Sequence, residues 1–226
     1  MQKPKIDLID YISNKELLLT ALTHRSWVNE NIGKRGTNER LEFLGDAILE
    51  FVVSDRLFAL FPDKEEGYLT ALRANLVNTK NLSDLARQID LGKQIYLSKG
   101  EEDGGGRENS SLLADTVEAI IGAIFLDVGI EGAYKFIDSL LLHDVETRSK
   151  LPLKDPKSLL QEYVQSKKLP APKYVVVSET GPDHLKSFII EVVVDHKVLA
   201  QGGGKSKAEA EQNAAAKALD VVLKVG

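Results

Sequence analysis

The segment NERLEFLGDAILEF, residues 38–51, carries four carboxylates spaced three and four residues apart: Glu39, Glu42, Asp46 and Glu50. On a helix turning roughly 100° per residue, these acids share one sector, while Leu41, Leu44, Ile48 and Phe51 point the other way. Like charges at this spacing destabilise a helix by about 0.2 to 0.5 kcal/mol per pair, and no Lys or Arg is interleaved on that face. One reading is a solvated face, although such faces ordinarily mix Glu with Lys. The other is a site where bound cations offset the repulsion. A second segment, SLLADTVEAIIGAIF (residues 111–125), sets Asp115 and Glu118 on one face beside Ala119 and Gly122, with Leu113, Val117, Ile120 and Ile124 turned away. Small residues beside the acids suit close approach to another backbone.

If the two acid faces converge, Glu42, Asp46, Asp115 and Glu118 form an all-oxygen pocket. Hard donors of this kind suit Mg²⁺ or Mn²⁺ rather than zinc. Such a centre points to phosphoryl chemistry, because the metal gathers phosphate oxygens and lowers the pKa of a bound water. Glu66, before Gly67, is either a further carboxylate of that site or a first-turn partner of its own helix dipole. His24, in ALTHRS, is either an acid-base group or a partly buried structural histidine. Nothing resembles a serine triad. The glycine-rich stretch GEEDGGGREN (residues 100–109) lacks the Lys-Ser/Thr ending of a phosphate-cradling loop, which disfavours nucleoside triphosphate hydrolysis.

Two modest domains fit the 226 residues. Residues 1–154 carry 25 acids and 19 bases, a net of -6, whereas residues 155–226 carry 9 and 10, a net of +1. The acidity thus belongs to the first part, and any polyanion must meet a local basic patch. The absence of Cys excludes disulfides, thiolate metal sites and a Cys nucleophile. The longest apolar stretch, residues 119–126, is far short of the roughly 18 residues of a membrane span. The opening MQKPKIDLID holds no apolar signal core, so no membrane association and a cytoplasmic location are expected.

Helical periodicity predicts helices over residues 16–26, 38–61, 66–88, 110–126 and 132–142, with Pro62 ending the second. RSKLPLKDPK (residues 148–157), with two prolines, reads as a linker. Expected units are a helical domain over 1–150, a linker over 151–155 and a second domain over 156–226. In that second domain Asp155-Pro156 caps a helix reaching residue 168, and KYVVVSET, SFIIEVVV and KVLAQG read as three antiparallel strands. A final helix over 206–224 opens on a Ser206/Glu209 capping box. This α-β-β-β-α order is a small α+β layer with both helices on one sheet face.

NERLEFLGDAIL resembles the signature segment of the ribonuclease III family. ALTHRS, FPDKEEG, the GGR…S…LADTVEAIIGAIFLD block and the second domain extend the likeness over nearly the whole chain. The resemblance implies an all-α endonuclease domain followed by a double-stranded-RNA-binding domain. It implies a homodimer that hydrolyses phosphodiesters in duplex RNA to 5′-phosphate and 3′-hydroxyl ends with short 3′ overhangs, in the processing of ribosomal and messenger RNA. Glu42, Asp46, Asp115 and Glu118 match the family's metal-binding acids, and Glu39 and Glu66 its accessory acidic positions. Their presence argues against the rival reading, a noncatalytic RNA-binding factor that retains the fold. A small-phosphate hydrolase, a third reading, has no need of the second domain.

Phe43 lies off the apolar stripe near the acids, either buried between subunits of a two-fold dimer or tucked under a neighbouring loop. Duplex RNA is read by shape across its minor groove and intervening phosphates. Candidate contacts are Ser158, Gln161 and Glu162 on the first helix of the second domain, Pro182, Asp183 and His184 between its first strands, and Lys205 and Lys207 where GGG enters the capped helix. These positions resemble the family's three RNA-contact regions. Where the family commonly carries adjacent bases after the serine, Lys207 is followed here by Ala208 and Glu209.

Overall fold

The computed structural model describes residues 6–149, 153, 155–182 and 186–224. Two compact units divide the chain, Met1–Leu151 and Pro152–Gly226. The first contains α1 (Lys15–Ala21), α2 (Arg25–Glu30), α3 (Glu39–Leu60), α4 (Glu66–Val77), α5 (Thr79–Gln88), α6 (Lys99–Asp103), α7 (Ser110–Ile137) and α8 (Val145–Arg148). Among its described residues, the one strand-like pairing joins Thr23 to Tyr96.

The centre of this unit is α7, whose Leu113, Val117, Ile120 and Ile124 are buried as their spacing predicts. Its start is capped by Asn109, whose Oδ1 accepts from the Ser111 and Leu112 amides at 3.0 and 3.2 Å. Packed against it, α3 contributes Leu41, Gly45, Ile48, Leu49, Val52, Val53 and Leu57. This corrects the expected core stripe. Leu41 and Ile48 are buried, but Leu44 is half-buried and Phe51 is 57% exposed. The buried line lies roughly a quarter-turn from the acids instead of a half-turn, because contact with α7 runs through Gly45. At this crossing the backbones meet: a Cβ added to Gly45 would stand 1.7 Å from the Glu118 carbonyl oxygen, and one added to Gly122 would stand 2.2 Å from that of Leu41.

Two further expectations are corrected. Instead of one helix over 66–88 there are two, because Asn78 takes extended angles (φ -69, ψ 155) between α4 and α5. Its Oδ1 accepts from the Asn81 amide at 2.8 Å, while its Nδ2 donates to the Asn75 carbonyl at 2.8 Å. One side chain thus ends one helix and starts the next, the local competition with helix bonding for which Asn is suited. Conversely, the expected helices over 110–126 and 132–142 are joined: α7 continues to Ile137 through a kink at Gly129 (φ 77, ψ -172), followed by a wider helical turn over Asp138–Leu142. A glycine tolerates that positive φ without a Cβ clash.

The second unit has the expected order: α9 (Pro156–Ser166), β1 (Lys173–Thr180), β2 (Ser187–Val194), β3 (Lys197–Gly204) and α10 (Lys207–Lys224). Asp155 caps α9 by accepting from the Lys157 and Ser158 amides at 3.1 and 3.2 Å. The sheet is antiparallel in the order β1-β2-β3. Asp195 and His196 both take positive φ in the two-residue turn between β2 and β3, the geometry that matches strand twist in a tight hairpin. Leu160 and Val164 of α9 meet Val192 and Val194 of β2 and Ala214, Ala215 and Ala218 of α10. The alanines bring α10 close to the sheet. Its capping box is shifted by one residue: the Glu209 amide donates to Ser206 Oγ at 3.1 Å, but Glu209 Oε2 accepts from the Lys205 amide at 2.7 Å, not from that of Ser206.

The seam between α3 and α7 generates a test. Gly45→Ala places a methyl where a carbonyl oxygen stands, so the helices must separate or the backbone must shift. Stability should fall by about 3 kcal/mol, the upper part of the range for overpacked cores, in urea unfolding. A variant as stable as the parent would show that the two backbones do not meet at this point.

Candidate active site

The α3–α7 seam sets Glu42 on one helix beside Asp115 and Glu118 on the other. Each offers a carboxylate oxygen, and the three atoms lie within 4.8 Å of one another. All three residues are half-buried. Asp46, one helical turn beyond Glu42, is more exposed and lies outside that tightest set, yet its charge acts on both Glu42 and Glu118. The four acids expected from the sequence are therefore brought together, three closely and one at the rim.

Burial and mutual repulsion govern their protonation. Glu118 is pushed up to about 8, first by burial and then by Asp46, Asp115 and Glu42. Burial, followed by Asp115, Glu39 and Asp46, raises Glu42. Asp115 is also raised by burial, with His24 partly offsetting the effect. Three carboxylates that resist ionising together, with no nitrogen or sulfur donor in their set, fit a hard divalent cation. Such an ion reverses the local pKa balance and favours the charged acids.

The remaining acids of the α3 face have other partners. Glu50 pairs with Arg73 of α4 at 2.8 Å. Glu39 accepts from Thr37 Oγ1 at 3.0 Å and stands 3.8 Å from Arg25. The sequence pattern of α3 gave no sign of these cations, which arrive from other elements. Glu66 is not brought to the acid cluster within the single chain; it accepts from Thr70 Oγ1 at 2.8 Å and lines a separate cleft with Phe51, Phe58 and Arg73.

His24 has a structural task at the start of α2. Its Nδ1 accepts from the Ser26 amide at 3.3 Å and lies 2.9 Å from Ser26 Oγ. The ring nevertheless lines a polar cleft of about 760 Å³ that contains Glu39, Glu42 and Asp115. Arg25, Asn29, Glu101 and Ser111 line it as well. None of these was singled out from the sequence; Arg25 beside His24 was the available signal.

Phe43 is 81% exposed, which overturns burial under a neighbouring loop. It borders an apolar groove of about 750 Å³ that includes Leu17, Leu44 and Leu126. In the second unit, Gln161, Glu162, Pro182, Lys205 and Lys207 are exposed. Ser158 is exposed too, but its hydroxyl donates to Asp155 Oδ2 at 2.6 Å. His184 and Asp183 lie outside the described residues, as do 151, 152 and 154 of the expected linker.

Residues 14–145 match the family model described as ribonuclease-III-like, and residues 156–222 match the double-stranded RNA binding motif. The chain belongs to the ribonuclease III family. Among similar proteins, "Ribonuclease 3" of Natranaerobius thermophilus is 46% identical over 205 residues, covering 91% of this chain and 89% of the relative. "Ribonuclease 3" of Carboxydothermus hydrogenoformans is 47% identical over 214 residues, covering 93% and 90%. The crystal structure of the nuclease domain of ribonuclease III from Campylobacter jejuni, 42% identical, covers 64% of this chain and 95% of its own, with a TM-score of 0.54. A second structure of that domain, at TM-score 0.52 and covering 63% and 92%, concerns flexibility in a region involved in its dimer formation. This ribonuclease III chain is accordingly a metal-dependent endoribonuclease with a double-stranded-RNA partner. Among its described residues, no helix is long and apolar enough to cross a membrane.

The raised Glu118 carboxyl has a pH consequence. Between its ordinary value of 4.5 and about 8, the folded chain keeps a proton that the unfolded chain releases. Its contribution to stability is therefore full below the ordinary value and lost as pH rises through the folded value. Without divalent ions, Glu118→Gln should gain stability relative to the parent as pH rises from about 5 to about 9. Thermal unfolding in EDTA measures this, and a pH-independent difference would remove the buried charge from the account.

Proposed function

We propose that Glu42, Asp46, Asp115 and Glu118 hold the divalent ions, Mg²⁺ with Mn²⁺ as a substitute, at which this ribonuclease III enzyme hydrolyses duplex RNA. The products are 5′-phosphate and 3′-hydroxyl ends with short 3′ overhangs, in the maturation of ribosomal and other RNA. The observation that carries this reading is the convergence of Glu42, Asp115 and Glu118 from two helices within 4.8 Å. When bound, the divalent ions supply positive charge to phosphate oxygens and lower the pKa of a water. The chain's own contribution is positioning. The glycine seam holds Glu42 against Glu118, and Arg73 draws Glu50 aside. Asp46 at the rim faces the solvent from which the anionic substrate arrives. Glu39, held by Thr37 and Arg25, serves as an accessory acid. Glu66 joins it only through a second copy of the chain, since within one chain it lies in another cleft.

A two-fold dimer supports that completion. A large aromatic such as Phe43, 81% exposed beside an apolar groove, suits an interface, and two related sites suit the two strands of a duplex. We assign residues 1–150 to cutting and dimerisation, 151–155 to the linker and 156–226 to RNA binding. Contacts are assigned to Ser158, Gln161, Glu162, Pro182, His184, Lys205 and Lys207. Work on RNA, together with the lack of cysteine, supports a cytoplasmic location. The alternative, a noncatalytic binding factor, leaves the convergence of half-buried acids without a purpose.

Glu118→Gln is expected to bind perfect duplex RNA as the parent does, and to lose Mg²⁺-dependent cleavage by at least about a hundredfold, within the range for removal of one electrostatic element of a site. End-group and overhang analysis of parent products completes the assay. Near-normal cutting by the variant would refute the metal assignment. Phe43→Glu brings a charge into a contact that must desolvate, and should give folded monomers with little cleavage by light scattering and activity assay. A full-activity dimer would place Phe43 elsewhere.

A further inference from the structure

Lys207, at the first position of α10, does not stand alone on the surface of the second unit. Its ammonium lies 5.7 Å from the centre of the Phe188 ring and 4.0 Å from Glu179 Oε2. Glu179 and Phe188 face each other across the β1–β2 ladder. Paired residues on neighbouring strands project on the same side of a sheet, and Phe188 is buried. Strand pairing therefore sets Glu179 on the side from which α10 begins. The other oxygen of that carboxylate lies 3.0 Å from the Lys186 ammonium. One carboxylate thus serves two lysines at the edge of the surface assigned to RNA phosphate. Glu209, an acid in the first turn of α10, is turned to the Lys205 amide.

We propose that Glu179 sets the strength of RNA binding, as a fixed carboxylate that competes with RNA phosphate for the ammonium groups of Lys207 and Lys186. The inference rests on the assignment of Lys207 to a phosphate contact made above. An ammonium is a compact point charge with three rotatable donors on a flexible stem, so it turns from carboxylate to phosphate without rearrangement of the backbone. A phosphate that reaches either lysine meets Glu179 within a few ångströms, and two anions then share one cation. Exposed ion pairs of this kind add little to folding; Glu179 side-chain exposure is 40%, that of Lys207 59%. The effect therefore falls on the affinity for a polyanion. It compounds the substitution already visible in the sequence, where Ala208 and Glu209 follow Lys207 in place of further bases. It also accords with the near-balanced charge of residues 155–226. A domain held to moderate affinity releases product RNA more readily than one that presents its lysines free.

The test is salt-titrated binding of the full chain to two unrelated perfect RNA duplexes in EDTA, where nothing is cut. Glu179→Gln, which keeps the shape of the side chain, should tighten binding to both by about threefold, as release of its lysine partners from exposed ion pairs implies. It should also steepen the dependence of affinity on salt, because Lys207 becomes a full phosphate partner. A merely structural role for Glu179 does not steepen that slope. Lys207→Ala should weaken both duplexes and flatten the slope by about one contact. In a Lys186→Ala, Lys207→Ala background the gain from Glu179→Gln should vanish, since the coupling is through those two side chains. If Lys207→Ala weakens binding as stated while Glu179→Gln leaves affinity and slope unchanged or lower, the competition is overturned and the phosphate contact stands. An undiminished gain in the background lacking both lysines overturns it as well. If Lys207→Ala changes nothing, the phosphate contact and the competition fall together.

Discussion

Backbone meets backbone where α3 crosses α7 at Gly45 and Gly122, and the site depends on that contact. Side chains normally hold helix axes about 8 to 10 Å apart. Here the Cβ positions that would keep the axes apart coincide with carbonyl oxygens, so the approach requires the smallest residue on both sides. The consequence reaches the carboxylates flanking each glycine. Glu42 precedes Gly45 by three residues and Glu118 precedes Gly122 by four, so closing the seam draws both toward one point. Asp115, one turn earlier on α7, joins them. Burial of α7 on nearly every side then supplies rigid support, because its apolar residues are packed too closely to let the helix roll.

The same packing creates the electrostatic problem that the site exploits. Burial raises the Glu42, Asp115 and Glu118 carboxyls from their ordinary values; Asp115 raises Glu42 further, and Asp115 and Glu42 raise Glu118. Neighbouring elements relieve some of the acids and not others. Glu50 has Arg73 and Glu39 has Arg25, whereas Glu42, Asp46 and Glu118 have no ion pair among the described residues. A continuous acidic face in one dimension is therefore sorted in three dimensions into structural pairs and a residual cluster. That cluster retains a demand for positive charge, which the proposed divalent ions would satisfy.

The second unit solves a different problem, presenting positive charge from a sequence with little to spare. Alanines bring α10 onto the sheet, and strand register fixes which side chains surround its first turn. Register also places Glu179 beside lysines that composition alone would count as free. The shift of the Glu209 bond from Ser206 to Lys205 is likewise a matter of local geometry: the carboxylate accepts from the amide of the chain arriving from Gly204.

Local patterns carried the secondary structure because they act through neighbouring residues. Pro62 ends α3, Asp155-Pro156 starts α9, and runs of β-branched residues mark the first two strands. The acids at three- and four-residue spacing likewise made Glu42, Asp46, Asp115 and Glu118 legible, since a helix alone gathers such residues on a face. The misreadings arose where two local preferences compete, as at Asn78 between helix continuation and capping, or where a glycine bends a helix without ending it, as at Gly129. What the sequence by itself determined was therefore which residues share a face and which segments belong to each unit's architecture. Only tertiary structure decided which face is buried: Phe51 is apolar yet exposed, and Gly45 has no side chain yet forms the contact. Tertiary structure also chose the partners of Glu39, Glu50, Glu66 and Glu179. Those choices join residues distant along the chain, and the energies that make them, close packing and charge in a partly buried setting, depend on separation in space.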